Sequence, residues 1–130
     1  MNQPARRILI VDDEPTLLKM MAAYLGRLGY SVAAASTTDE AWAQVEQAPG
    51  EFGVAVLDAT MPGIGLHDLA LKMVEASPGL RVLAASGYPV DMRALAAEAP
   101  GRIEFLQKPF TPKMLAEAVG RLLGPEKKDV

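Results

Sequence analysis

Short apolar runs alternate along the chain with longer stretches in which apolar residues return every three or four positions. That alternation is the mark of repeated βα units on a parallel sheet, and five such units fit. The runs predict strands over 7–11, 31–35, 53–57, 81–85 and 103–106. The first, third and fourth are almost continuously apolar, which implies burial on both faces. The second, Ser31-Val32-Ala33-Ala34-Ala35, is weaker and is expected at an edge. Between the strands, a helix over 15–28 carries Leu17, Met20, Met21, Tyr24 and Leu28 on one stripe, with Pro15 suited to its first turn and Gly29 to its end. Thr37 or Thr38 can cap a second helix holding Ala41, Trp42 and Val45, which ends before Pro49-Gly50. A third passes through Leu66, Leu69, Ala70, Met73 and Val74 as far as Ser77-Pro78-Gly79. An alanine-rich fourth is expected over 90–98, and a fifth starts at Thr111-Pro112 and carries Met114, Leu115, Ala118, Val119 and Leu122.

With 130 residues, half of them apolar, the chain has material for one domain, with a core over about 7–123 and a tail over 124–130. No apolar run nears the ~20 residues needed to span a bilayer, and Met1-Asn2-Gln3-Pro4-Ala5-Arg6-Arg7 lacks the apolar stretch of a secretory signal. A cytoplasmic location is therefore expected, with no membrane partner. There is no cysteine, so thiolate metal sites, thiol catalysis and disulfides are excluded. A net charge of −3, with no basic run beyond Arg6-Arg7 and Lys127-Lys128, leaves no electrostatic footprint for nucleic acid.

The chemistry collects at the carboxyl ends of the predicted strands, which is where an open parallel sheet places its crevice. Asp12-Asp13 close the first strand, Asp58 the third, Ser86 follows the fourth and Lys108 the fifth. Singly, each has an ordinary reading: Asp13 or Asp58 as a helix cap, Ser86-Gly87 as a turn, Lys108 as a solvated charge. Their joint occurrence at successive strand ends points instead to a shared site. Three carboxylates there would repel one another unless a hard cation such as Mg²⁺ sat among them.

Four stretches, Ile8-Leu9-Ile10-Val11-Asp12-Asp13-Glu14-Pro15, Val56-Leu57-Asp58-Ala59-Thr60-Met61-Pro62-Gly63, Leu83-Ala84-Ala85-Ser86-Gly87-Tyr88 and Phe105-Leu106-Gln107-Lys108-Pro109-Phe110, resemble the receiver domains of two-component response regulators. The resemblance covers about 7–123. It implies an α/β fold, a flavodoxin-like three-layer sandwich in which a five-stranded parallel sheet of order 2-1-3-4-5 is flanked by five helices. It implies Asp58 as phosphoacceptor, Mg²⁺ held by Asp13 directly, by Asp12 through water, and by Asp58 and the Thr60 carbonyl. Lys108 and the Ser86 hydroxyl would meet the phosphoryl oxygens, and Lys108-Pro109 would be a cis peptide. Ser86 and Phe105 would form the switch, with Phe105 lacking the hydroxyl of the tyrosine found in many relatives. The implied partners are a histidine kinase or histidine phosphotransfer protein, and an output protein or second copy through helix 4, strand 5 and helix 5. Such a protein is not an enzyme beyond catalysing its own phosphorylation and dephosphorylation.

The chain departs from the family pattern in three places. Gly65 comes one residue early and Leu66 stands where a glycine is usual, so the loop after strand 3 is expected to be reshaped. Thr60 and Tyr88 occupy the positions that govern access of water, and a bulky Tyr88 is expected to shield the site. Ser86-Gly87-Tyr88-Pro89 is similar to receivers appended to hybrid sensor kinases, so a free-standing regulator and a phosphoryl carrier or sink in a relay both stay open. Leu18, beside the main stripe of helix 1, is a candidate partner contact. His67 is expected to face solvent, and Trp42 and the seven methionines to serve packing. Two other classes remain. A haloacid-dehalogenase-type phosphatase also uses a strand-end aspartate and Mg²⁺, but wants an acid where Thr60 stands. A flavin binder wants a phosphate loop where Asp12 and Asp13 stand.

Overall fold

The computed structural model describes residues 7–124. Five βα units run in order: β1 (Arg7–Val11), α1 (Pro15–Arg27), β2 (Ser31–Ala35), α2 (Thr38–Gln47), β3 (Phe52–Asp58), α3 (Leu66–Ala76), β4 (Arg81–Ser86), α4 (Arg93–Glu98), β5 (Ile103–Gln107) and α5 (Pro112–Leu123). All strand pairs are parallel, in the order β2-β1-β3-β4-β5 that the resemblance implies. β1, β3 and β4 are buried along nearly their whole length, whereas β2 lies at an edge and is mostly open.

Successive strand residues point to opposite faces, and each face has its own core. Ile8, Ile10, Val54 and Val56 meet Met21 and Leu25 of α1 and Leu115 and Val119 of α5. Leu9, Val11, Ala55 and Leu57 meet Val45 of α2, Leu69 and Met73 of α3 and Leu95 of α4. Each fully buried Leu or Ile in these layers contributes about 1.5–3 kcal/mol of transfer free energy.

Several boundaries differ from the sequence expectation, each for a local reason. β3 gains a residue at both ends, and β4 and β5 gain one at their carboxyl ends, because the ladder continues through Asp58 opposite Ala85 and Ser86 opposite Gln107. Asp58 and Ser86 are thus the last residues of rigid strands. Glu14, and not Asp13, caps α1, its carboxylate accepting the Leu17 N–H at 2.9 Å. α1 stops at Arg27, since Gly29 turns left-handed and the N–H groups of Gly29 and Tyr30 return to the carbonyls of Gly26 and Leu25. α4 begins three residues later than expected. The Asp91 carboxylate accepts both the Arg93 N–H and its guanidinium, which favours a turn over another helical one. Gly124 ends α5 instead of opening a tail, and the rest of that expected tail lies outside the described residues.

His67 is exposed as expected, but it pairs with Glu98 at 2.8 Å and so links α3 to α4. Trp42 packs against the core, with the Lys72 ammonium 4.9 Å from its ring centroid. Among the described residues no helix is long and apolar enough to cross a membrane.

Candidate functional site

The carboxyl ends of β1 and β3 bring three acids together. Ligand oxygens of Asp12, Asp13 and Asp58 all lie within 4.8 Å of one another. Their environments differ. Asp12 is only 2% exposed, and both its oxygens are engaged: Oδ1 accepts the Glu14 N–H at 2.9 Å and Oδ2 the Lys108 ammonium at 3.0 Å. Asp13 is exposed, and among the described residues its carboxylate makes no hydrogen bond or ion pair. Asp58 lies between these extremes. Its Oδ1 accepts both the backbone N–H and the hydroxyl of Thr60, at 3.0 and 2.9 Å, while Oδ2 lies 3.5 Å from Lys108 Nζ.

Lys108 reaches this cluster from the turn after β5. Its backbone N–H donates to the Ser86 carbonyl at 2.8 Å, and the Lys108-Pro109 peptide is cis. Partial burial acts to lower the pKa of its ammonium, but the hydrogen bond and charge of Asp12, followed by those of Asp58, outweigh it, and the pKa is raised. The lysine is thus held protonated against two of the three acids.

Ser86 is fully buried, and its Oγ accepts the Tyr88 N–H at 3.0 Å, which leaves the hydroxyl hydrogen free to donate elsewhere. The side chain of Tyr88, on which the expected shielding rests, is largely open to solvent. Tyr88 is 73% exposed, at the rim of an open apolar cavity of about 510 Å³ that it lines with Leu17, Gly87, Lys108, Pro109 and Phe110. The bond from its N–H to Ser86 and the following Pro89 fix the backbone there, and the ring projects outward. Phe105 is half-buried on the edge strand β5. Leu18 packs against the core under α1 and α5 and also lines a groove of about 380 Å³ with Lys19, Ala22 and Ala34.

The loop after β3 carries a feature that sequence reasoning missed. Thr38, at the start of α2, accepts the Ile64 N–H on its hydroxyl at 2.9 Å. The intervening Gly63 has φ +103°, and a Cβ there would collide with the same hydroxyl. Gly65 directly precedes α3 with ordinary extended angles, so the early glycine serves as a helix boundary and the demanding position is 63.

A family model described as the response regulator receiver domain matches residues 8–120. The chain is similar to the DNA-binding transcriptional regulator NtrC of Bradyrhizobium sp. (strain RP501 Parasponia), at 32% identity over 127 residues, covering 98% of this chain and 26% of that protein. It is also similar to the sensor kinase CckA of Brucella abortus (strain 2308), at 32% identity over 122 residues, covering 94% of this chain and 13% of that one. The chain therefore spans about a quarter or less of these two curated relatives. In structure it resembles the CheY-like response regulator receiver domain protein from Methanospirillum hungatei JF-1, with a TM-score of 0.80 and 28% identity, covering 91% of this chain and 93% of that one.

Proposed function

Because the chain belongs to the response regulator receiver domain family, we propose that it takes a phosphoryl group onto Asp58 from a histidine kinase or a histidine phosphotransfer protein and signals by protein contacts. The observation that carries this reading is the convergence of Asp12, Asp13 and Asp58 beside the single ammonium of Lys108. In their ionised forms, three carboxylates facing one cation leave an excess of negative charge. All three offer hard oxygen donors, so the set fits Mg²⁺. Asp13, whose carboxylate has no partner among the described residues, suits direct ligation; Asp12, whose oxygens are both taken, suits contact through water; Asp58 and the Thr60 carbonyl complete the protein donors. When bound, the ion neutralises charge on a phosphoryl oxygen.

The chain's own residues do the rest. An Asp58 oxygen attacks phosphorus, the bond from phosphorus to the donor imidazole breaks, and its electron pair leaves with that ring. Lys108 pairs with a second phosphoryl oxygen, and Ser86, whose oxygen accepts from Tyr88 while its hydroxyl hydrogen is open, donates to the third. Ser86 and Phe105 then bias a surface of α4, β5 and α5, where an output protein or a second copy binds. The activity stays with this one side chain, so the protein catalyses its own phosphorylation and dephosphorylation and no turnover of a separate substrate. We place it in the cytoplasm, with its donors. A role as phosphoryl carrier or sink in a relay is a second reading, favoured by the likeness to a sensor kinase.

Incubation with Mg²⁺ and acetyl phosphate tests the proposal. One phosphoryl group should add per chain, be released by hydroxylamine as an acyl phosphate is, and be absent from a folded Asp58→Asn variant. Labelling of that variant at the normal extent would move the acceptor elsewhere and end this reading.

A further inference from the structure

Thr38 occupies the first position of α2, yet the hydroxyl of its neighbour Thr37 already caps that helix, accepting the Glu40 N–H at 3.1 Å. The Thr38 side chain is therefore free for another task, and at 4% exposure it is one of few buried polar groups. Its hydroxyl accepts the Ile64 N–H at 2.9 Å and donates a long bond to the Pro62 carbonyl at 3.5 Å, bridging 26 and 24 residues of sequence. Gly63, left-handed between those two, lets the backbone close around the oxygen where any side chain would strike it. Upstream the loop is tied by the Ala59 N–H to the Ala85 carbonyl at 2.8 Å, and by Met61, which is buried in the core. Thr60, whose N–H and hydroxyl both reach Asp58, sits between those two ties, and the Thr38 clamp holds the chain directly after Met61.

We propose that Thr38 is a positioning residue for phosphoryl transfer: it fixes the path of the loop after β3, so that Thr60 is held in register with Asp58 and with the ion the acids would bind. The proposal rests on the reading of Asp58 as phosphoacceptor, and Thr38 itself touches neither phosphate nor metal. A groups-in-register role predicts an effect on ion affinity, while a role in stability alone does not.

Calorimetric titration of Mg²⁺ into the unphosphorylated full chain separates these, with thermal unfolding run in parallel. Thr38→Val keeps shape and removes the hydroxyl; it should weaken Mg²⁺ binding by about tenfold, as loss of a group supporting a metal ligand commonly does. Labelling by acetyl phosphate should slow at low Mg²⁺ and recover at saturating Mg²⁺, and Thr38→Ser should restore wild-type behaviour in both. A folded Thr38→Val variant with wild-type Mg²⁺ affinity overturns the proposal. Should that variant not fold, Gly63→Ala presses a methyl group against the same hydroxyl, and unchanged Mg²⁺ affinity there overturns it equally. Absence of labelling in the wild-type protein with Mg²⁺ binding intact would count against the Asp58 reading and leave the clamp standing.

Discussion

Lys108 and Arg102 are cations at opposite ends of one sheet, both drawn partly out of water, and their surroundings treat them in opposite ways. At the carboxyl ends of the strands, Lys108 is held protonated by Asp12 and Asp58 despite its burial. At the amino ends, Arg102 has its pKa lowered, first by burial and then by the nearby charge of Arg81. Arg102 spends its donors on the carbonyls of Leu80, Ser77 and Val74, closing the chain after α3, and the Ser77 hydroxyl accepts the Gly50 N–H at 2.7 Å. At the amino ends Arg102 and Ser77 are satisfied by backbone groups, and Arg81 reaches the Leu122 carbonyl while its Nε is buried without a partner among the described residues. The other end gathers like charges that its own residues do not balance, and an unbalanced group of that kind is what a site for ion and phosphate requires.

The sharpest way to break this comparison is to remove each cation. Lys108→Ala should slow labelling by acetyl phosphate by about a hundredfold, the usual loss when a charge-stabilising donor is removed, with labelling hit harder than stability. Arg102→Ala should do the reverse, lowering unfolding free energy by about 2–3 kcal/mol through its lost carbonyl bonds while labelling of the folded protein stays at wild-type rate. If both variants lose labelling equally, the two ends are not functionally distinct. A further effect is expected from Asp13→Ala, which removes a direct ligand and should weaken Mg²⁺ binding in calorimetry by more than the roughly tenfold loss of a supporting group, while Arg102→Ala leaves it unchanged. Equal affinities in wild type and Asp13→Ala would remove Asp13 as a ligand.

The smallest effect follows from pH. Because the folded pKa of Lys108 is raised, its contribution is complete below the ordinary lysine value of about 10.4 and is lost as pH climbs through the higher folded value. Urea unfolding between pH 8 and 11 should therefore show a steeper alkaline loss in wild type than in Lys108→Met. Parallel curves would mean that the lysine gains nothing from its two acids.

The apolar runs of β1, β3 and β4 made the sheet's centre legible, since burial on both faces leaves no polar positions to confuse the pattern. The site residues were legible because strand ends are short-range features; strand order was not, and came from resemblance alone. What could not be read depends on contacts distant in sequence or on which of two adjacent acids turns inward. In sequence Asp13 is the residue type suited to cap α1, yet it is the Glu14 carboxylate that accepts the Leu17 N–H. Arg102 and Thr38 act on residues 22–28 and 24–26 positions away, and neither has a local signature. The exposure of Tyr88 could not be read either, because bulk says nothing of direction.

One further consequence concerns the exposed flank of β2. The Ala35 carbonyl accepts the Asp12 N–H, so the carbonyl of Ala34 and the N–H of Ser36 face away from β1, toward the open flank. Both are already occupied by α2: Gln44 donates to the Ala34 carbonyl at 3.0 Å, and Glu40 accepts the Ser36 N–H at 2.8 Å. Glu40 and Gln44 stand one helical turn apart and guard the flank as a pair. At this end of β2 a second β-strand arriving from another molecule would find those two groups taken and a carboxylate beside them, which works against pairing there.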